Sequence, residues 1–161
     1  MGLALLLIDL QNDYFPGGKM ELVNSDEAVK KAAKIVKFFR TKKLPIIHIQ
    51  HLSARPGSTF FIPNTEGVKI HSAVEPLPDE VVFHKNYPNS FRNTGLLEYL
   101  KENSIKDLII CGMMTHMCVD ATTRAAFDFG FNCTVISDTC ATRKLFFEHI
   151  EIPAQYVHTS F

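Results

Sequence analysis

The sequence has no surplus of charge. Its 17 Lys and Arg residues equal its 17 Asp and Glu residues, and the formal net charge at pH 7 is +0. A nucleic-acid-binding domain would show a basic face, and a membrane-surface protein a polybasic segment; neither is present. Long hydrophobic runs are absent too. The apolar stretch Leu3 to Ile8 is far too short to span a bilayer, and it runs straight into Asp9. It lacks the basic flank and small-residue cleavage site of a secretory signal, so a cytoplasmic location is expected. The four cysteines, Cys111, Cys118, Cys133 and Cys140, form no CxxC pair, which argues against a disulfide framework. No internal repeat, linker or low-complexity tract is found. What remains is the composition of one ordinary globular domain over residues 1–161, suited to small-molecule chemistry.

Apolar, β-leaning runs alternate with stretches of helical period, which predicts an α/β fold with a doubly wound, mostly parallel sheet in three layers. The first strand is read at Leu3 to Asp9. Ser25 is a candidate N-cap for a helix running toward Arg40, with Ala28, Ala32, Ile35, Val36 and Phe39 on one face. Further strands are expected at Leu44 to Leu52, Glu80 to His84, Leu108 to Cys111 and Asn132 to Ser137. Helices are expected from Thr94 to about Asn103, and from about Cys118 to Phe129, closed by Gly130. Residues 53–79 form a long loop rich in Pro and Gly, of the kind that covers or lines a site.

In open α/β sheets, ligands bind beyond the carboxyl ends of the strands. The polar residues there are Asp9, His51, Lys85, the 113–118 turn and Asp138. Taken one at a time, each has a bland reading. Asp9 suits an Asx-turn, Lys85 an exposed lysine, and Cys118 a small buried thiol in a first helical turn. Together, a carboxylate, an ammonium and a thiol at three strand ends have compatible chemistry. An ammonium lowers a thiol pKa, a neighbouring acid can move its proton, and a helix start favours a thiolate.

Four segments raise this grouping above chance: Ile8-Asp9-Leu10-Gln11-Asn12-Asp13-Tyr14-Phe15, His84-Lys85-Asn86-Tyr87-Pro88-Asn89-Ser90-Phe91, Cys111-Gly112-Met113-Met114-Thr115-His116-Met117-Cys118-Val119-Asp120-Ala121-Thr122, and Asp138-Thr139-Cys140-Ala141-Thr142. In this order, and spanning nearly the whole chain, they resemble the motifs of the isochorismatase-like cysteine hydrolases. The resemblance implies a catalytic triad of Asp9, Lys85 and Cys118, and a non-proline cis peptide between Met113 and Met114. It also implies backbone N–H groups of Met114 and Cys118 forming an oxyanion hole. The expected activity is hydrolysis of a C–N bond in a small amide or ureide through a thioester. Vinyl-ether cleavage of the isochorismatase type is the alternative enzyme reading, and a non-catalytic oligomeric binding domain the alternative of another class. Relatives that cleave vinyl ethers carry another residue at the nucleophile position, so Cys118 favours the amidase.

Tyr14, Phe15, His51, Phe91 and His116 are candidates to line the substrate pocket. Nicotinamidases of this superfamily hold a divalent metal with one aspartate and two histidines near the second strand. Here His48 and His51 have no carboxylate beside them, and at i, i+3 on a strand they face opposite ways. No metal and no cofactor are therefore expected. The C-terminal stretch Ile150 to Phe161 reads as the start of a last strand and helix, shorter than in the family. A homodimer or homotetramer is the expected assembly. Asp120 and Arg124, four apart on a helix, read as an ion pair.

Overall fold

The computed structural model describes residues 2–161. Strand β1 (Gly2–Ile8) lies at the centre of a five-stranded sheet with β2 (Ile46–His51), β3 (Val81–Lys85), β4 (Ile105–Met113) and β5 (Asn132–Ala141). The order is β3-β2-β1-β4-β5, and every pairing is parallel. The order reverses direction at β1, which makes the sheet doubly wound and opens a crevice beyond its end.

The alternation of β1 side chains divides the core into two layers. Leu5 and Leu7 pack with Val29, Val36 and Phe39 of helix α1 (Ser25–Lys42). Ala4, Leu6 and Ile8 pack on the other face with Leu96 and Leu100 of α2 (Leu96–Glu102) and Ala126 of α3 (Asp120–Asp128). Strands covered on both sides must be apolar throughout, which is why β1 reads as an unbroken run.

Several boundaries differ from the pattern reading. Ser25 begins α1 but does not cap it; Asn24 holds the N-cap position, and the Ser25 hydroxyl turns back to donate to Leu22 O at 3.3 Å. Strand β4 extends from Ile105 to Met113, well beyond Leu108 to Cys111. Strand β5 continues past Ser137 to Ala141 after an irregularity in its pairing with β4. The expected helix at Cys118 is split: a five-residue π-turn, Thr115–Val119, precedes α3. At the C-terminal end, β6 (Leu145–Phe147) and β7 (Ile150–Ile152) form a separate antiparallel hairpin, followed by α4 (Ala154–Thr159). No described helix is long and apolar enough to cross a membrane.

Candidate active site

Three strand ends converge above the switch point. Asp9 follows β1 directly, with φ +52°, a left-handed conformation that aspartate tolerates better than most residues. Lys85 is the last residue of β3, paired in register with His51 at the end of β2. From there its side chain must reach over β2 to meet β1. It does so: Lys85 Nζ lies 2.7 Å from Asp9 Oδ2 and 3.2 Å from Cys118 Sγ. Nζ also donates to Tyr87 O at 3.0 Å and meets His51 Nδ1 at 3.1 Å. The lysine is 1 % exposed, because its charge is matched inside the protein.

Cys118 arrives by a different route. Strand β4 passes Gly112, whose φ of +143° and close approach to Ile8 O leave no room for a Cβ. A non-proline cis peptide joins Met113 to Met114, and the π-turn follows. Cys118 is the fourth residue of that turn and is buried. Asp9, His51 and Cys118 each offer an atom within 4.8 Å of the others. The surroundings of the sulfur act against the thiolate that a helix start favours. Burial pushes the Cys118 thiol far up, Asp9 pushes it further, and Lys85 only partly offsets both.

Lys85 feels the opposite balance. Burial works against its charge, but the negative groups of Asp9 and Cys118 prevail and raise its pKa, so it remains an ammonium. Asp9 is fully buried; its approach to Nζ is an ion pair, and neither carboxylate oxygen makes a directed hydrogen bond. His51, half-buried, is held by burial at a pKa of about 4, with Asp9 opposing and Lys85 reinforcing that shift. It is a neutral imidazole.

These residues do not fit a divalent metal. Asp9, His51 and Cys118 share one cation already, the Lys85 ammonium, and a second at that spot would meet it at like charge. His48 offers no help, since its Nε2 lies 2.9 Å from Glu80 Oε2, which Arg40 also binds.

The other pocket candidates each have their own packing or hydrogen-bond partners. Tyr14 is buried against Phe61, with ring centroids 4.6 Å apart. Phe15 sits in the α1-side core against His71. Phe91 packs with Phe129 and Phe131. His116 Nδ1 bonds Thr142 Oγ1 at 2.6 Å. Met114 is buried at the start of the π-turn. Asp138, the remaining strand-end polar residue, is exposed and paired with Lys31 instead of the site. Asp120 and Arg124 do form an ion pair, at 2.8 Å.

Four buried polar residues that support the site were not singled out by residue type. Gln11 Nε2 donates to His51 O and Val68 O, while its Oε1 accepts from His51 N. Asp13 accepts from Phe61 N at 2.6 Å and from Lys19 N at 3.1 Å, pinning the 53–79 loop. Ser90 N donates to Thr122 Oγ1, and the two hydroxyls lie 2.8 Å apart, tying the segment after β3 to α3. Each falls inside one of the four motif segments, so the motifs were the available signal.

With this geometry in place, comparison with known proteins decides the relationship. The isochorismatase domain pattern matches residues 3–152. The chain belongs to the isochorismatase family. Among family members, it is 50 % identical to YddQ of Bacillus subtilis over 100 % of this chain and 89 % of that protein. A solved isochorismatase structure from Pseudomonas putida superposes with a TM-score of 0.91 at 38 % identity, covering 98 % of this chain and 80 % of that one. Nicotinamidase of Escherichia coli is 28 % identical over 85 % of this chain and 82 % of its own. The family assignment makes this chain an isochorismatase-family hydrolase, with the α/β fold of its structural neighbours.

Proposed function

We propose that this protein is a cysteine amidohydrolase that cleaves a C–N bond of a small amide or ureide. The observation that carries the reading is the buried contact of Lys85 Nζ with both Asp9 Oδ2 and Cys118 Sγ. In this reading Asp9 takes the thiol proton as the sulfur attacks the substrate carbonyl, and Lys85 holds the emerging thiolate. The backbone N–H groups of Met114 and Cys118 stabilise the oxyanion. Asp9 returns the proton to the departing amine, then activates the water that hydrolyses the thioester. A raised thiol pKa suits this order, since the proton leaves only when a substrate is in place.

No metal takes part. A cytoplasmic location suits four free cysteines. Assembly into a homodimer or homotetramer is supported by Phe146, Phe147 and Ile150 of the hairpin, each more than 60 % exposed.

The test is ammonia release from a panel of small amides and ureides by the wild type, Cys118→Ala and Cys118→Ser. Hydrolysis by the wild type and its loss in both variants is the expected result. Serine retaining most of the activity refutes the thioester route.

A further inference from the structure

Two polar atoms of residues near the triad make no hydrogen bond within the described residues: the Tyr14 hydroxyl and His51 Nε2. Tyr14 is only 2 % exposed, yet its hydroxyl bonds to nothing. The hydroxyl is not sealed from solvent, but a ligand that covers it without accepting from it would cost about 1–3 kcal/mol. Burial first, then the negative character of Cys118 and Asp9, holds the Tyr14 pKa well above the ordinary value, so the proton stays on oxygen.

The tautomer of His51 follows from its neighbour. Lys85 is an ammonium and can only donate, so Nδ1, 3.1 Å from Nζ, must accept. A neutral ring that accepts at Nδ1 carries its proton on Nε2. The main chain of His51 is clamped on both sides by Gln11, which leaves the ring little freedom to turn away. Both rings pack on the same neighbour, Phe61, at centroid distances of 4.6 Å for Tyr14 and 5.8 Å for His51. Phe61 is itself fully buried and held by Asp13 through its N–H. Two neutral donors thus share one aromatic wall, and His51 also touches the triad through Lys85 Nζ.

We propose that Tyr14 Oη and His51 Nε2 select the substrate, and that the preferred substrate is a small planar amide bearing a second oxygen acceptor beside the scissile carbonyl. That acceptor is a carbonyl or a carboxylate oxygen; its shared chemistry is a lone pair in the amide plane. A plain aliphatic amide would set a methylene against the two donors and cover both without pairing them. Sites built to hydrogen-bond a substrate group reject the analogue that lacks it more strongly than pockets reject an extra methylene. The inference rests on the reading of Cys118 as the nucleophile, but it concerns binding and can fail or stand by itself.

The experiment measures equilibrium binding of three probes to the Cys118→Ala protein by calorimetry. Pyruvamide and propionamide differ only in the second carbonyl, and oxamate supplies a carboxylate. Pyruvamide or oxamate is expected to bind at least about tenfold tighter than propionamide. Adding Tyr14→Phe, which removes only the hydroxyl, should shrink that ratio to about threefold or less. His51→Leu should do the same, and circular dichroism confirms that each variant is folded. Pyruvamide tighter than oxamate assigns a neutral carbonyl; the reverse assigns a carboxylate. Equal affinity for all three probes, including no binding by any, overturns the proposal. So does a ratio that survives Tyr14→Phe unchanged. Ammonia release by the wild type tests hydrolysis separately: selective binding without turnover refutes the amidohydrolase reading and keeps this one.

Discussion

At the scale of single residues, Lys85 has the largest leverage. Its ammonium pairs with Asp9 and makes three further contacts, with Cys118, His51 and Tyr87 O. Lys85→Met removes the group that pulls the thiol down while burial and Asp9 still push it up. The Cys118 pKa should therefore rise further, read as a shift of the alkylation rate profile toward higher pH with a small neutral thiol reagent. A profile identical to wild type would remove Lys85 from the site. The variant also leaves Asp9 buried without its counter-ion, which costs about 3–5 kcal/mol of stability. Lys85→Arg should not rescue turnover, since a planar guanidinium is wider than the ammonium it replaces. Metal content belongs to the same scale: the ammonium already sits among Asp9, His51 and Cys118. Purified protein should carry no stoichiometric zinc, iron or manganese, and turnover should survive exhaustive chelation. Elemental analysis showing one equivalent of metal, removable with loss of activity, would contradict this.

At the scale of elements, the β4 end is where local backbone geometry controls the site. Gly112 lies against the β1 end with φ +143°, and a Cβ there would overlap Ile8 O. Gly112→Ala should cost about 2–4 kcal/mol by chemical denaturation and displace the 114–118 turn, lowering turnover with it. Gly130→Ala, at φ +88° with open space around the position, should cost only about 1 kcal/mol. Similar losses for the two variants would show that the β1–β4 approach is not what matters. Element existence and order were legible in the sequence, because β1 and β4 are continuous apolar runs and α1 carries its apolar residues at helical spacing. Boundaries were not. The sequence pattern ends β5 at Ser137, yet Thr139 is fully buried and the strand runs on to Ala141. The π-turn at Cys118 could not be read from spacing, since it depends on how Gly112 and the following peptide meet β1. The strand-end rule did bring Asp9, Lys85 and Cys118 to one place. It said nothing of Lys85 being buried, which needs Asp9 and Cys118 across two strands. Nor did it show Gln11 and Asp13 bonding to Val68 and Phe61 in a loop more than 45 residues away.

At the scale of the whole molecule, the buried imidazoles set the response to acid. His51 is held at about 4 by burial, with Asp9 opposing, and burial likewise lowers His48 against the pull of Glu80. In the unfolded chain both have the ordinary value near 6.5. Between that value and the folded one, the unfolded state binds protons that the folded state refuses, so stability falls with pH. The contribution is complete above about pH 6.5 and is lost progressively down to about pH 4. For His51 alone the loss between pH 7.5 and pH 5 is on the order of 2 kcal/mol. Glu80 adds a second, lower window. Burial raises its pKa, but Arg40, the Leu77 N–H and His48 outweigh it and bring the carboxyl to about 2. Its contribution is present above the ordinary carboxyl range and fades as pH falls through about 2. Urea denaturation should give a flat midpoint from pH 8 to 7 and a clear decline from pH 6.5 to 4.5. His51→Leu should make that decline shallower, because the group that refuses the proton is gone. A wild-type midpoint at pH 5 equal to that at pH 7.5 would mean that His51 is charged in the folded protein. Its Nδ1 would then not be an acceptor, and the donor assigned to Nε2 would lose its basis.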